Sequence, residues 1–191
     1  RGGKVEDGRA MLEKILVDAP DEPSALLLRS GLRFTENKFD DAIADLRLVL
    51  RKEPDNDRAL LLLAQAYVRQ NELALAKDTY RRLLEVAPDS PDGLQQLAVL
   101  YAGNKEYAEA ESLLRKRLGK QPDDLIASGR LVEILMAQGQ PAKAEEEARR
   151  MQALTNQTGV GDFSLGRVLA QQKDYEGAAD ALSRAIEEAE R

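Results

Sequence analysis

The chain has 191 residues, with 34 acidic against 28 basic side chains, a net charge of −6, and neither Cys nor His. Disulfides, thiolate or imidazole metal sites, Cys nucleophiles and His general bases are thereby excluded. The acidic balance argues against a nucleic-acid partner, because such binders draw most of their affinity from neutralising phosphates.

Apolar residues make up 43% of the chain but aromatics only 4%. Much of the apolar share is Ala and Leu, which together with Glu, Arg and Lys favour helix. No apolar run approaches the roughly 20 residues that span a bilayer, so direct membrane insertion is not expected. The chain starts Arg1-Gly2-Gly3-Lys4 without Met and stops within the helical pattern Ala185-Ile186-Glu187-Glu188. It is therefore expected to be an excerpt of a longer protein. A Cys-free sequence suits the cytoplasm and a bacterial periplasm or envelope alike.

An internal period dominates the sequence. Pro20, Pro54, Pro88 and Pro122 recur at intervals of 34, each followed by Asp. Ala42, Ala76, Ala110, Ala144 and Ala178 keep the same interval, and Gly8 extends it backward. The frame predicts a half repeat over 5–22, then full repeats over 23–56, 57–90, 91–124, 125–158 and 159–191. The fold class is all-α, with about 11 helices and no strands.

The half repeat supplies one helix over 5–18, matching the second helix of a unit. In the second unit a first helix over 58–70 carries Leu60, Leu63, Ala64 and Tyr67 on one face. A turn at Gln70-Asn71-Glu72 leads to a second helix over 73–86, with Leu73, Ala76, Tyr80, Leu83 and Leu84 facing inward. Ala87-Pro88-Asp89 then ends it, since Pro cannot continue a helix. Two helices cross closely only where side chains are small. Ala64 and Ala76 supply that contact, with Ser30, Ala98, Val132 and Gly166 at the equivalent first-helix positions. A final helix is expected over 175–188.

The third unit reads Leu94-x2-Leu97-Ala98-x2-Tyr101, then Tyr107-x2-Ala110 and Pro122; the fifth has Leu165-Gly166, Tyr175, Ala178 and Ala185. These motifs resemble the tetratricopeptide repeat family over essentially the whole chain. Departures fall at Arg29 and Arg33, where the family has Leu and Tyr, at Asn156 in place of a closing Pro, at Pro141, and at Asp162 in an apolar position. With Gly159-Val160-Gly161 before it, Asp162 predicts looser or reoriented packing between units four and five.

The resemblance implies an α-α superhelix of antiparallel helix pairs whose first helices line a concave groove. On this frame Leu27, Phe34, Leu61 and Val68 line its beginning. Gln65, Arg69, Gln95, Gln96 and Val99 line its middle, and Arg130, Glu133, Met136, Phe163 and Arg167 line its end. A one-position error of helix phase would instead make Leu27 and Leu61 core residues. Such a groove suits a protein or peptide partner, so the expected role is an interaction scaffold within a bacterial multiprotein assembly, without cofactor or metal. The alternative is an accessory or targeting region of a larger enzyme, such as a glycosyltransferase or protease complex, whose catalytic domain lies outside this chain. The family's carboxylate clamp for heat-shock protein termini needs Lys and Asn where this sequence has Leu27, Gly31, Leu62, Asp92 and Gln96. Starting from the second unit, only Arg130 fits, so that mode is rejected.

Other signals are weaker. Arg81-Arg82, Arg115-Lys116, Arg149-Arg150 and Arg184 form an outer basic series, read as a solvated face that complements helix dipoles or as a ladder for an acidic partner. Gly159-Val160-Gly161 has a faint likeness to a phosphate loop but lacks the following Lys-Ser/Thr. Asn156-Gln157-Thr158 matches a glycosylation acceptor. Asp40-Asp41 and Asp123-Asp124 are read as solvated turn residues rather than acid–base pairs. The helix over 5–18 lacks its partner and the helix over 175–188 lacks a polar capping helix, which predicts apolar patches at both ends, covered by another copy in a homo-oligomer or by segments outside this sequence.

Overall fold

The computed structural model describes residues 2–154 and 159–190, with side chains from residue 8 onward. Among the described residues there are eleven helices and no strand. They are α1 (Gly2–Asp18), α2 (Pro23–Thr35), α3 (Phe39–Lys52), α4 (Asp57–Arg69), α5 (Leu73–Val86), α6 (Pro91–Gly103), α7 (Tyr107–Lys120), α8 (Leu125–Ala137), α9 (Pro141–Leu154), α10 (Val160–Gln171) and α11 (Tyr175–Ala189). The chain divides into two compact units, Arg1–Gly93 and Leu94–Arg191.

The period of 34 is written into the helix ends. The N-cap positions 22, 56, 90 and 124 hold Glu, Asn, Ser and Asp. The Asn56 and Asp124 side chains each accept from the amide three residues on at 2.9 Å, and Ser90 Oγ accepts from Gly93 at 3.2 Å. Short acceptors of this kind satisfy amides that a helix start leaves orphaned. The turn inside each pair is equally regular. Asn37, Asn71, Lys105, Gly139 and Lys173 all have φ between 59° and 70°. The amide after each of them returns to a carbonyl five residues earlier, Lys38 to Arg33 at 2.8 Å and Glu72 to Tyr67 at 2.8 Å among them. This is the left-handed helix stop that closes the last carbonyls of one helix and points the chain back along it.

Within the first unit α2 packs on α3, α3 on α4 and α4 on α5; within the second the same succession runs from α7 to α11. The small residues sit where close approach requires them. Ala42, Ala76, Ala110 and Ala144 are completely buried, as are Ala64 and, nearly so, Ser30 and Ala98. A Cβ on Gly166 would come within 2.7 Å of Leu182 Cγ and 3.2 Å of the Ala178 carbonyl oxygen. Larger side chains fill between: Leu46, Leu60, Tyr80 and Leu83 in the first unit, Leu114, Leu131, Leu135 and Met151 in the second.

Three expectations change. Leu73, the first residue of α5, is 42% exposed rather than inward-facing. Asp40 and Asp41 belong to the first turn of α3. The meeting of α9 and α10 is close, not loose, because a Cβ on Gly161 would stand 2.4 Å from the Gln152 backbone. There Asp162 is buried and accepts hydrogen bonds from Gln152 Nε2 at 2.9 Å and Arg184 Nε at 2.8 Å. A polar residue in an apolar slot is thus satisfied by two neighbours. Asn156 and the sequence Asn156-Gln157-Thr158 lie outside the described residues.

Arg29 and Arg33 have the same kind of explanation. Asp45 on α3 is 2% exposed, and both arginines of α2 turn onto its carboxylate at 2.7–2.9 Å. The three together occupy the place of an apolar contact.

Candidate partner-binding face

First helices meet side by side within each unit, α2 with α4 and α8 with α10. Their outward rows are set by the repeat: residues 65, 99, 133 and 167 are one position taken four times, and 27, 61 and 95 another. The fourteen residues assigned to this face include no member of the buried core. Leu27, Phe34, Leu61, Gln65, Val68, Gln95, Gln96 and Met136 are half-buried, and Arg69, Val99, Arg130, Glu133, Phe163 and Arg167 are exposed.

In the first unit the structure joins Phe34 to Arg69. Phe34 meets Phe39 edge to face at 5.3 Å, and the Arg69 guanidinium lies 4.9 Å from the Phe39 ring and 5.8 Å from Phe34. Arg69 Nη2 also donates to Asn37 Oδ1 at 3.1 Å. A planar cation over aromatic faces keeps its own edge available while tying one repeat to the next. Asn37 and Phe39, from the turn and the second helix, were not anticipated from sequence. Leu27, Leu61, Gln65 and Val68 are half-buried on α2 and α4.

The second unit is more sculpted. A cavity of about 160 Å³ opens between α6, α7 and α8. Gln95, Val99, Arg130 and Glu133, all expected here, line it, and so do Tyr107 and Leu114 of the second helix α7. A further hollow of about 270 Å³ between α8 and α10 is lined by Glu133, Met136 and Arg167, together with Gln171. Glu133 links the two. Its Oε2 accepts from Arg130 Nη1 at 3.4 Å and its Oε1 from Arg167 Nη1 at 3.3 Å. Gln96 touches neither cavity. Phe163 borders a different hollow, shared with Leu182 and Ile186 of α11, and the Arg167 guanidinium lies 5.9 Å from its ring. The contributions of Tyr107 and Leu114 escape a sequence frame that assigns whole helices to one face.

The outer basic series is occupied within the fold. Arg115 pairs with Glu111 and Arg149 with Glu145, both at 2.8 Å and one helical turn apart. Arg82 donates to the Pro54 carbonyl, and Arg150 donates to that of Pro122 at 2.7 Å. Both contacts span 28 residues, so an arginine ending one repeat ties down the turn that closes the previous one. Arg150 also grips Glu147 and Ser128, and hydrogen bonding to Glu147 raises its affinity for its proton. The Gly159 amide, first of the glycine turn, donates to Glu188 Oε2 at 2.6 Å, where a phosphate loop would present it to an anion. Among the described residues no group of three or more carboxylates is placed to hold a metal ion, and no helix is long and apolar enough to cross a membrane.

Paired antiparallel helices of constant register, with small residues at each crossing, define a helical-repeat protein. A family model described as tetratricopeptide repeat matches residues 33–100 and 101–158, and a second of the same description matches 162–191. The chain belongs to the tetratricopeptide repeat family. Solved structures agree in fold. MamA from Desulfovibrio magneticus RS-1 is similar at 18% identity and a TM-score of 0.78, over 88% of this chain and 95% of that one. YrrB, described as a TPR protein with an unusual peptide-binding site, is similar at 16% identity and a TM-score of 0.76, over 93% and 91%. A tetratricopeptide repeat protein from Parabacteroides merdae ATCC 43184 is similar at 20% identity and a TM-score of 0.62, over 98% and 73%. No curated protein matches the chain.

Proposed function

We propose that the chain is a protein-interaction scaffold, holding a partner polypeptide along the face of its first helices inside a bacterial multiprotein assembly. The observation that carries this reading is the row at 65, 99, 133 and 167. It stays at the surface in every unit and borders two hollows in the second, while the outer arginines are engaged within the fold. Side chains that stay outside the buried core and border hollows are what a recognition face requires. The peptide-binding site described for YrrB supports the same use of this fold. The net charge of −6 favours a polypeptide over a nucleic acid as partner.

The test is capture from a lysate on the immobilised chain, compared with a Leu61→Asp, Val99→Asp double variant. Loss of specific partners at unchanged helicity is expected, because Val99 is exposed and Leu61, half-buried, lies outside the core. Full capture by a helical variant would place the partner elsewhere.

A second reading, self-association through the terminal helices, is favoured by exposed apolar side chains there. Met11 and Val17 of α1 are 69% and 78% exposed, and Phe163 and Ile186 are 52% and 61% exposed. Light scattering across a dilution series decides it, since a concentration-independent monomer rejects it.

A further inference from the structure

We infer that the cavity between α6, α7 and α8 takes one large apolar side chain from an extended partner segment, and that an acidic residue beside it is received by Arg130 and Arg167. This rests on the scaffold reading and narrows the partner to a chemistry.

Size and lining set the first half. The cavity holds about 160 Å³, and Ala98, Val99, Ala102, Leu114 and Ile134 form its walls. A dry apolar cavity of about 150 Å³ accommodates a benzene-sized group, which is the bulk of one Leu or Phe side chain. Gln95, Arg130 and Glu133 supply the polar rim that fixes orientation.

Charge sets the second half. From residue 94 onward the first helices α6, α8 and α10 carry four charges in all: Arg130, Glu133, Asp162 and Arg167. Asp162 is buried and held by Gln152 and Arg184, away from this face. Two guanidiniums therefore share one carboxylate, in a chain whose net charge is −6. Both oxygens of Glu133 are used, at the long distances of 3.4 and 3.3 Å, and each arginine is half exposed. An incoming carboxylate adds the missing negative charge and allows the shorter two-bond geometry that arginine favours. Arg130 and Glu133 belong to the cavity rim as well, so the two subsites adjoin.

The probe is an immobilised array of ten-residue peptides, random except at two positions one to three residues apart. These carry Leu or Phe with Glu, Leu or Phe with Lys, or Ala with Glu. The labelled chain should be retained at least about fivefold better on the Leu/Phe–Glu pools, with the acidic preference weakening as salt is raised. Arg130→Glu with Arg167→Glu, at exposed positions that leave the fold intact, should transfer the preference to Lys. Ala102→Leu should fill the cavity and remove the Leu/Phe preference alone. Retention strongest on Lys pools, or selectivity unchanged by the double charge reversal, would overturn this inference and leave the scaffold reading standing. Retention on no pool would overturn both.

Discussion

The Arg29 guanidinium meets the Asp45 carboxylate as a two-bond fork, Nη2 to Oδ1 at 2.8 Å and Nε to Oδ2 at 2.9 Å. Arg33 adds a third bond to Oδ2 at 2.7 Å. Removing the carboxylate alone leaves two cations facing a slot shaped for an anion. Asp45→Asn is expected to cost about 1–3 kcal/mol, measured by urea unfolding. Replacing all three by apolar residues, Arg29→Leu and Arg33→Tyr as is usual in this family together with Asp45→Leu, should be neutral or stabilising, because a packed apolar contact needs no charge desolvation. A triple variant less stable than the single one would show that the polar cluster contributes more than its packed equivalent.

The left-handed turn position carries Asn, Asn, Lys, Gly and Lys in successive repeats, and only the Gly is free of Cβ strain. At Lys105 and Lys173, φ is 62° and 68°. Lys105→Gly and Lys173→Gly should each stabilise by up to about 1 kcal/mol, reduced somewhat by the greater freedom of glycine in the unfolded chain. Asn71→Gly should change little, since Asn tolerates this region. Thermal melts of the three variants check the ranking, and a lowered melting temperature for both Lys variants would contradict it.

Gly161 and Gly8 look alike in sequence but differ in consequence. A Cβ at Gly161 would meet the Gln152 backbone at 2.4 Å, whereas one at Gly8 meets nothing within 4 Å. Gly161→Ala must push α9 and α10 apart, at about 1–3 kcal/mol or more. Gly8→Ala should be neutral or stabilising, since Ala is the better helix former. Equal midpoints for the two variants in denaturant would mean that the crossing of α9 and α10 is not as close as described.

These contrasts show how far the sequence reaches. Period, helix count and the inward Ala positions were legible because one interval of 34 residues repeats in Pro and Ala. The partners of Arg29, Arg33 and Asp162 were not. Their compensation comes from Asp45, Gln152 and Arg184 on other helices, and nothing in a single helical stripe marks a polar residue as answered from across a crossing. The outward row at 65, 99, 133 and 167 followed from the frame. The cavity beside it did not, since its floor is completed by Tyr107 and Leu114 from a helix assigned to the opposite side.

Tyr80 is completely buried. Burial, and secondarily the charge of Asp92, pushes its hydroxyl far above the ordinary tyrosine range. Below pH about 10 both folded and unfolded chains keep this proton, and Tyr80 adds no pH dependence. Above that pH the unfolded chain releases the proton while the folded chain retains it. Stability should therefore fall as pH rises, by up to about 1.4 kcal/mol per pH unit from this group. Tyr80→Phe removes the releasable proton, so its helicity at 222 nm should persist to higher pH than that of the parent chain. The two chains differ only at residue 80, so the difference between the curves isolates Tyr80. Coincident alkaline midpoints would refute the assignment.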